Sequence, residues 1–200
     1  LIGWALYRTL RTLPAPPELP ARKAGWLLVL PAAALAGWGV FLQLKALHTG
    51  FFQFFDWGIY FLDYRDAPAG RLWLALGGHW NPVVNALLIP LCRLFPQPAT
   101  LFTAHSLAIY SGMPLLYLLA RKCHLSTAAA LLAALLWGFN PWVNNLNTSL
   151  FYGFHPVVFL IPVLLGFLIA RQSGSRRGMA LFFLLSLGIQ KTAFAFWFGY

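Results

Sequence analysis

The stretch AGWLLVLPAAALAGWGVFLQLKAL, residues 24 to 47, carries a single charged side chain, Lys45, in a run long enough to cross a bilayer. A hydrocarbon core about 30 Å thick takes roughly 20 apolar residues in a helix, and it forces every backbone N–H and C=O to pair internally. A chain with such a run is shaped by lipid before it is shaped by water. Composition agrees, since 60% of the 200 residues are hydrophobic and only 9% are charged, against about 25% charged in soluble domains.

Four more apolar runs follow: residues 100 to 120, ending at Arg121 and Lys122; 127 to 143, entered through Ser126; 156 to 170, ending at Arg171; and 178 to 199. Between the first two spans lies NPVVNALLIPLCRLFPQPAT, whose apolar part of about 14 residues suits an interfacial or re-entrant helix better than a crossing. The expected fold is all-α, a polytopic transmembrane helix bundle of about five spans plus that short helix. Residues 1 to 23 read as a cytoplasmic amino-terminal segment and residues 24 to 200 as a membrane domain. Because the chain opens on Leu1 and closes inside the apolar KTAFAFWFGY, it is expected to be a fragment continuing beyond residue 200.

The net charge of +10 does not point to nucleic acid, because the basic residues come as short clusters between apolar runs rather than as a stripe with interleaved aromatics. They report topology instead. If the short segment does not cross, nine of the 14 Lys and Arg residues share one face: Arg8, Arg11, Arg22, Lys23, Arg121, Lys122, Arg171, Arg176 and Arg177. If it crosses, the first face keeps only five. The positive-inside rule selects the first arrangement, with the amino terminus cytoplasmic and residues 72 to 99 on or in the outer surface. Cys92 and Cys123 fall at opposite ends of a span, too far apart for a disulfide.

This arrangement gathers the chemistry outside. Three of the four acidic residues, Asp56, Asp63 and Asp66, lie in the first outer loop, followed by Arg65, Arg71 and His79; the second outer loop is NPWVNNLNTSLFYGFHP. Asp63 and Asp66 read as solvating loop carboxylates. Asp56 differs, because FFQFFDWGIYF holds it among aromatic rings near headgroup level, where a carboxylate is costly unless paired or used.

The segments FFDWGIYF, GGHWNP, PLCRLFPQPATLFTAHSLAIYSGMPLLYLLARK, FNPWVNNLNTSLFYGFHPVVFLIP and GIQKTAF, in that order, resemble a widespread family of bacterial and archaeal multi-pass membrane proteins of unknown function. That family is similar in turn to the GT-C glycosyltransferases. The resemblance covers about residues 26 to 195 and implies a GT-C-like core, a loop aspartate at Asp56, a Phe-His-Pro signature at Phe154, His155 and Pro156, and a lysine motif at Lys191. Val157 and Thr192 stand where the family usually places glutamate, so neither a metal site nor a cofactor is expected. The implied location is a prokaryotic plasma membrane, and the implied partners are membrane lipids and a polyprenyl-phosphate sugar donor, with no nucleic acid.

Sugar transfer from such a donor needs a base for the acceptor hydroxyl, and Asp56 is the candidate. It also needs donors aimed at the departing lipid phosphate, a role open to His155, Lys191, Arg65 and Arg71. No glycine-rich phosphate loop, Cys-x-x-Cys or His-Glu-x-x-His is present. A transporter or flippase whose polar residues line a substrate path is the alternative, and a purely structural membrane subunit is a third reading.

Depth links the remaining candidates. His155 lies 16 residues before Arg171, Lys191 lies 14 after Arg177, His105 lies 16 before Arg121, and Asn140 lies 14 after Ser126. At about 1.5 Å per residue all four are expected roughly 21 to 24 Å above the inner surface. His79, His105, Asn140, Arg65 and Arg71 are therefore the expected substrate-binding residues around the catalytic set Asp56, His155 and Lys191.

Overall fold

The computed structural model of the chain describes residues 25–48, 56–68, 81–148 and 154–189. Every regular element among them is helical: α1 (Val29–Leu47), α2 (Asp56–Asp66), α3 (Pro82–Leu94), α4 (Pro98–Tyr110), α5 (Gly112–Lys122), α6 (Thr127–Gly138), α7 (Pro141–Thr148), a 3-10 turn (Pro156–Phe159), α8 (Leu160–Gln172) and α9 (Arg176–Ile189).

Prolines set the irregularities. Pro114 has no N–H to offer the Tyr110 carbonyl, which marks the break at Ser111 between α4 and α5. The two still run on as one helix, Pro98–Lys122, of 25 residues. That helix and Gly25–Ala46, of 22 residues, are the two described helices long and apolar enough to cross a membrane. They differ in surroundings. The most apolar stretch of Pro98–Lys122 is 56% buried, whereas that of Gly25–Ala46 is 22% buried, so the first is the central post and the second stands at the rim.

Around the post, α1 packs on α4 and α5, α8 lies along α5 and touches α4, and α6 returns beside α5. The pairs α2 with α3 and α3 with α9 close the remaining side. Val84, Leu88 and Ile89 of α3, Leu101, Phe102 and Ile109 of α4, and Met113 and Tyr117 of α5 are buried where these helices meet.

Three expected spans differ from the apolar runs or are described only in part. The run 127 to 143 is divided: α6 starts on Ser126, whose Oγ accepts from the Ala129 N–H at 3.2 Å, and stops at Gly138, and α7 begins anew at Pro141. The run 156 to 170 becomes a 17-residue helix, Pro156–Gln172, opened by a 3-10 turn. The last run is described only to Ile189. The short helix expected at residues 82 to 95 is present as α3, 13 residues long.

Two turns at one end of the bundle have the same construction. After α5, the Leu125 N–H donates to the Ala120 carbonyl at 3.0 Å and the His124 N–H to that of Arg121 at 3.1 Å. After α8, the Ser175 N–H donates to Ala170 at 2.9 Å and the Gly174 N–H to Arg171 at 3.0 Å. Each is a helix end closed by a left-handed residue, His124 at φ 63° and Gly174 at φ 68°.

Candidate functional site

The end of the bundle opposite those turns holds a polar cluster. On α4, His105 and Ser106 are fully buried; on α7, so is Asn147; Gln43 on α1 is 2% exposed. Burying a side chain such as Asn147 in an apolar bundle is costly unless its hydrogen-bonding groups are used. Its two oxygens are used, whereas its Nδ2 has no hydrogen-bond partner among the described residues. Ser106 Oγ donates to Asn147 Oδ1 at 2.6 Å, and Gln43 Nε2 donates to the Asn147 backbone carbonyl. One helical turn away, Tyr110 donates its hydroxyl to Asn144 Oδ1 at 2.6 Å, and Asn144 Nδ2 donates to the carbonyls of Gly138 and Asn140, each at 3.2 Å.

The helix α7 is thus pinned through Asn144 and Asn147, spaced three apart and so on one side of the helix. Its approach to α1 depends on Gly39, where a Cβ would lie 2.8 Å from Asn147 Cγ.

Beside this cluster the Phe-His-Pro segment turns into α8. Phe154 is 1% exposed, and its ring lies 5.6 Å from the His105 ring and 6.2 Å from Phe159. On its other side it meets Tyr60 at 4.9 Å and Tyr64 at 6.0 Å. Aromatic pairs in this range add to the burial of the rings themselves. Pro156 opens the 3-10 turn, where its missing N–H leaves nothing unpaired. His155, in extended conformation just before it, is half-buried and within electrostatic reach of His105. Val157, where the resemblance has glutamate, is 40% exposed.

Of the expected site residues, the structure brings together His105 and His155. Asp56 opens α2 one turn before Tyr60, and that helix meets Phe154 through Tyr60 and Tyr64. Asn140 is exposed and caps α7, its Oδ1 accepting the Trp142 N–H at 2.8 Å. Arg65 is turned to its neighbour Asp66, with both nitrogen–oxygen contacts at 2.7 Å, and lies over the Phe61 ring at 5.8 Å. That hydrogen bond holds the Asp66 carboxyl below the ordinary range and raises Arg65. Lys191, His79 and Arg71 lie outside the described residues, as does residues 1 to 23.

The residues not anticipated are Gln43, Ser106, Tyr110, Asn144 and Asn147. The repeat of asparagine at 140, 144 and 147 was the available signal.

Among the described residues, no group of three or more His, Cys, Asp or Glu side chains is placed to hold a metal ion. Cys92 is fully buried in α3, which pushes its thiol up to about 11, and Cys123 is exposed at the far end. An open apolar groove lined by Leu91, Leu94, Ala99, Thr103, Ala104 and Leu107 lies at the α3–α4 corner, on the exposed side of α4. Hydrogen-bonding side chains and aromatic rings make up the described cluster, and His155 beside it is the half-buried member.

No curated protein and no solved structure matches the chain. Residues 42–199, most of its length, match the family DUF2079, described as "Predicted membrane protein", and the chain belongs to that family.

Proposed function

We propose that the chain is the membrane part of a GT-C-like transferase that moves a sugar from a polyprenyl-phosphate donor at the outer leaflet. The observation that supports this reading is the seating of α2 against the Phe-His-Pro segment, through Tyr60 and Phe154 at 4.9 Å. It brings the helix opened by a carboxylate, Asp56, to the residue that precedes His155. A base for the acceptor hydroxyl and a donor for the leaving phosphate are the two groups such a transfer needs, and they belong at one place.

In this reading Asp56 takes the proton of the acceptor hydroxyl as its oxygen attacks the anomeric carbon. His155 and Lys191 donate hydrogen bonds to the phosphate as its bond to that carbon breaks. The cluster around His105 and Asn147 keeps α4, α7 and α1 in register, so that His155 is presented at a fixed level. The chain crosses the bilayer five times with its amino terminus in the cytoplasm, and α3 stays at the outer surface. A cysteine at Ala99 in a cysteine-free background should label with an impermeant thiol reagent from outside; labelling only from the cytoplasmic side overturns that topology.

The activity is tested with the full chain in detergent, offered a panel of radiolabelled polyprenyl-phosphate sugars and an acceptor extract. Product should form without a gradient, and both Asp56→Asn and His155→Ala should lower its rate at least tenfold. His155→Ala and Lys191→Met should also weaken binding of a polyprenyl phosphate. Movement of substrate between sealed compartments, with no product in detergent, would instead make the polar cluster part of a transport path.

A further inference from the structure

The other end of the bundle carries a second organised set of side chains. Arg121 and Lys122 close α5, Arg171 closes α8, and Arg176 and Arg177 open α9. The helices α5 and α8 pack side by side, and they run in the same direction from the adjacent His105 and His155. Each reaches its arginine after 16 residues, so the two turns lie at one level. All these cations are exposed except Arg121, which is half-buried and donates from Nη1 to the Leu125 carbonyl at 2.7 Å.

Among the described residues no carboxylate answers them. The sequence has no Asp or Glu after Asp66, and α2, which holds the described acidic residues, packs at the opposite end near Phe154. Five like charges within two turns repel one another unless an anion lies among them. Just beneath the cations the surface turns apolar, with Leu118 48%, Leu168 38% and Leu181 54% exposed. Leu118 and Leu168 each stand three residues before an arginine, hence below it on the same helical face. A soluble anion needs only the cations. An amphiphile with an anionic head and hydrocarbon chains fits both layers.

We propose that the α5–α6 and α8–α9 turns together form a binding site for the phosphodiester headgroup of an anionic phospholipid, with the acyl chains lying on Leu118, Leu168 and Leu181. Arginine is suited to this task because its planar guanidinium meets two phosphate oxygens at once. Paired turns on adjacent helices offer two such groups from different parts of the chain, so a bound lipid would tie α5 to α8 at the end remote from the polar cluster. The site does not depend on the transfer activity.

The test uses the full chain in nanodiscs of phosphatidylcholine, with and without phosphatidylglycerol. Lipid retained per chain is counted by native mass spectrometry, and the unfolding temperature is recorded in both disc types. Phosphatidylglycerol should be retained and should raise the unfolding temperature. At low salt each cation removed should weaken retention about fivefold, so the triple variant Arg171→Gln/Arg176→Gln/Arg177→Gln should lose it about a hundredfold. Raised ionic strength should weaken it in the parent. Lys45→Gln, which removes one cation as Arg176→Gln does but on α1 at the other end, should leave retention unchanged. If the triple variant does not fold, the single variant Arg176→Gln is scored against the fivefold expectation. The proposal is overturned if the arginine variants retain phosphatidylglycerol like the parent or if Lys45→Gln loses as much. It is also overturned if inorganic phosphate reproduces the temperature gain in phosphatidylcholine discs, which would make the turns a free-phosphate site.

Discussion

The hairpin of α4–α5 with α6 and the hairpin of α8 with α9 share a plan: a histidine, then an Ala-Arg pair ending 16 residues on, then a left-handed turn and a returning helix. Their interiors differ. In the first, His105 is fully buried, Ser106 and Tyr110 bond to α7, and the Trp137 Nε1–H of the returning helix donates to the Ile109 carbonyl at 3.1 Å. In the second, Pro156 stands where the first has Ser106, His155 is half-buried, and α8 meets α9 where Gly166 lets the Phe182 ring approach. The contrast separates bracing from presentation. Hydrogen bonds between helices in an apolar bundle fix their register, and the first hairpin has them; the second hairpin leans on that frame and leaves its histidine accessible. The two histidines at matching positions therefore differ in their surroundings, His105 buried and His155 half-buried.

The contact that joins the two hairpins should be the most costly to remove. Phe154 fills the space between His105, Tyr60 and Tyr64, and Phe154→Ala should destabilise the protein by about 3 to 5 kcal/mol. Reversible denaturation in mixed micelles measures this. A cost below about 1 kcal/mol would mean that the hairpins hold together without it.

How much of this arrangement could be read in advance depends on the property in question. Length and hydropathy placed Gly25–Ala46 and Pro98–Lys122 closely, because a continuous apolar run has few other ways to satisfy its backbone. Counting from Arg121 and Arg171 brought His105 and His155 to one level, because helical rise is constant. The same counting put Asn140 at that level, yet its side chain turns to cap α7. Depth says nothing of direction around a helix, and an asparagine before a proline at a helix start is drawn to the backbone. The division of the 127 to 143 run at Gly138 was masked by hydropathy, since Phe139, Trp142 and Val143 continue the apolar pattern across the Asn-Pro break. Gln43, Ser106 and Asn147 were invisible for a further reason: each reads as an isolated polar residue until the helices that carry them are placed together.

Close helix contacts give the next test. A Cβ at Gly112 would lie 2.7 Å from Trp137 Cε2, and one at Gly166 would lie 2.6 Å from Phe182 Cε1. The space is equally short, but the neighbours differ in freedom. Trp137 is tied to Ile109 by its indole hydrogen bond, whereas the phenyl ring of Phe182 has no hydrogen-bonding group to hold it. Gly112→Ala should therefore cost about 1 to 3 kcal/mol, and Gly166→Ala less than about 1 kcal/mol as the ring shifts. Equal costs would show that the first hairpin is no more rigidly braced than the second. Loss of a single bracing bond is smaller: Asn147→Leu removes the acceptor for Ser106 and should cost about 1 kcal/mol, with the double variant Ser106→Ala/Asn147→Leu costing little more if that bond carries the effect.

The smallest effect separates the two turns, which have the same hydrogen bonds but different residues in the left-handed position. A residue with a Cβ is disfavoured there by about 1 to 2 kcal/mol. Glycine escapes that penalty but loses more backbone freedom on folding, about 0.5 to 1 kcal/mol relative to alanine. The difference leaves a net preference for glycine of roughly 0.5 to 1 kcal/mol at such a helix end. His124, at φ 63°, lies on the unfavourable side of this balance and Gly174, at φ 68°, on the favourable side. No Cβ clash complicates the second turn, because nothing stands within 4 Å of where one would be built on Gly174. Its substitution therefore reports backbone conformation alone. His124→Gly should raise the unfolding temperature by about 1 to 3 °C and Gly174→Ala should lower it by a similar amount, measured in phosphatidylcholine discs so that anionic lipid does not contribute. Shifts of opposite sign and similar size would establish that the turns are equivalent in backbone energetics and differ only in what they present to the membrane. A destabilised His124→Gly protein would show instead that the imidazole makes a contact worth more than the left-handed penalty, and the likeness of the two turns would end at their hydrogen bonds.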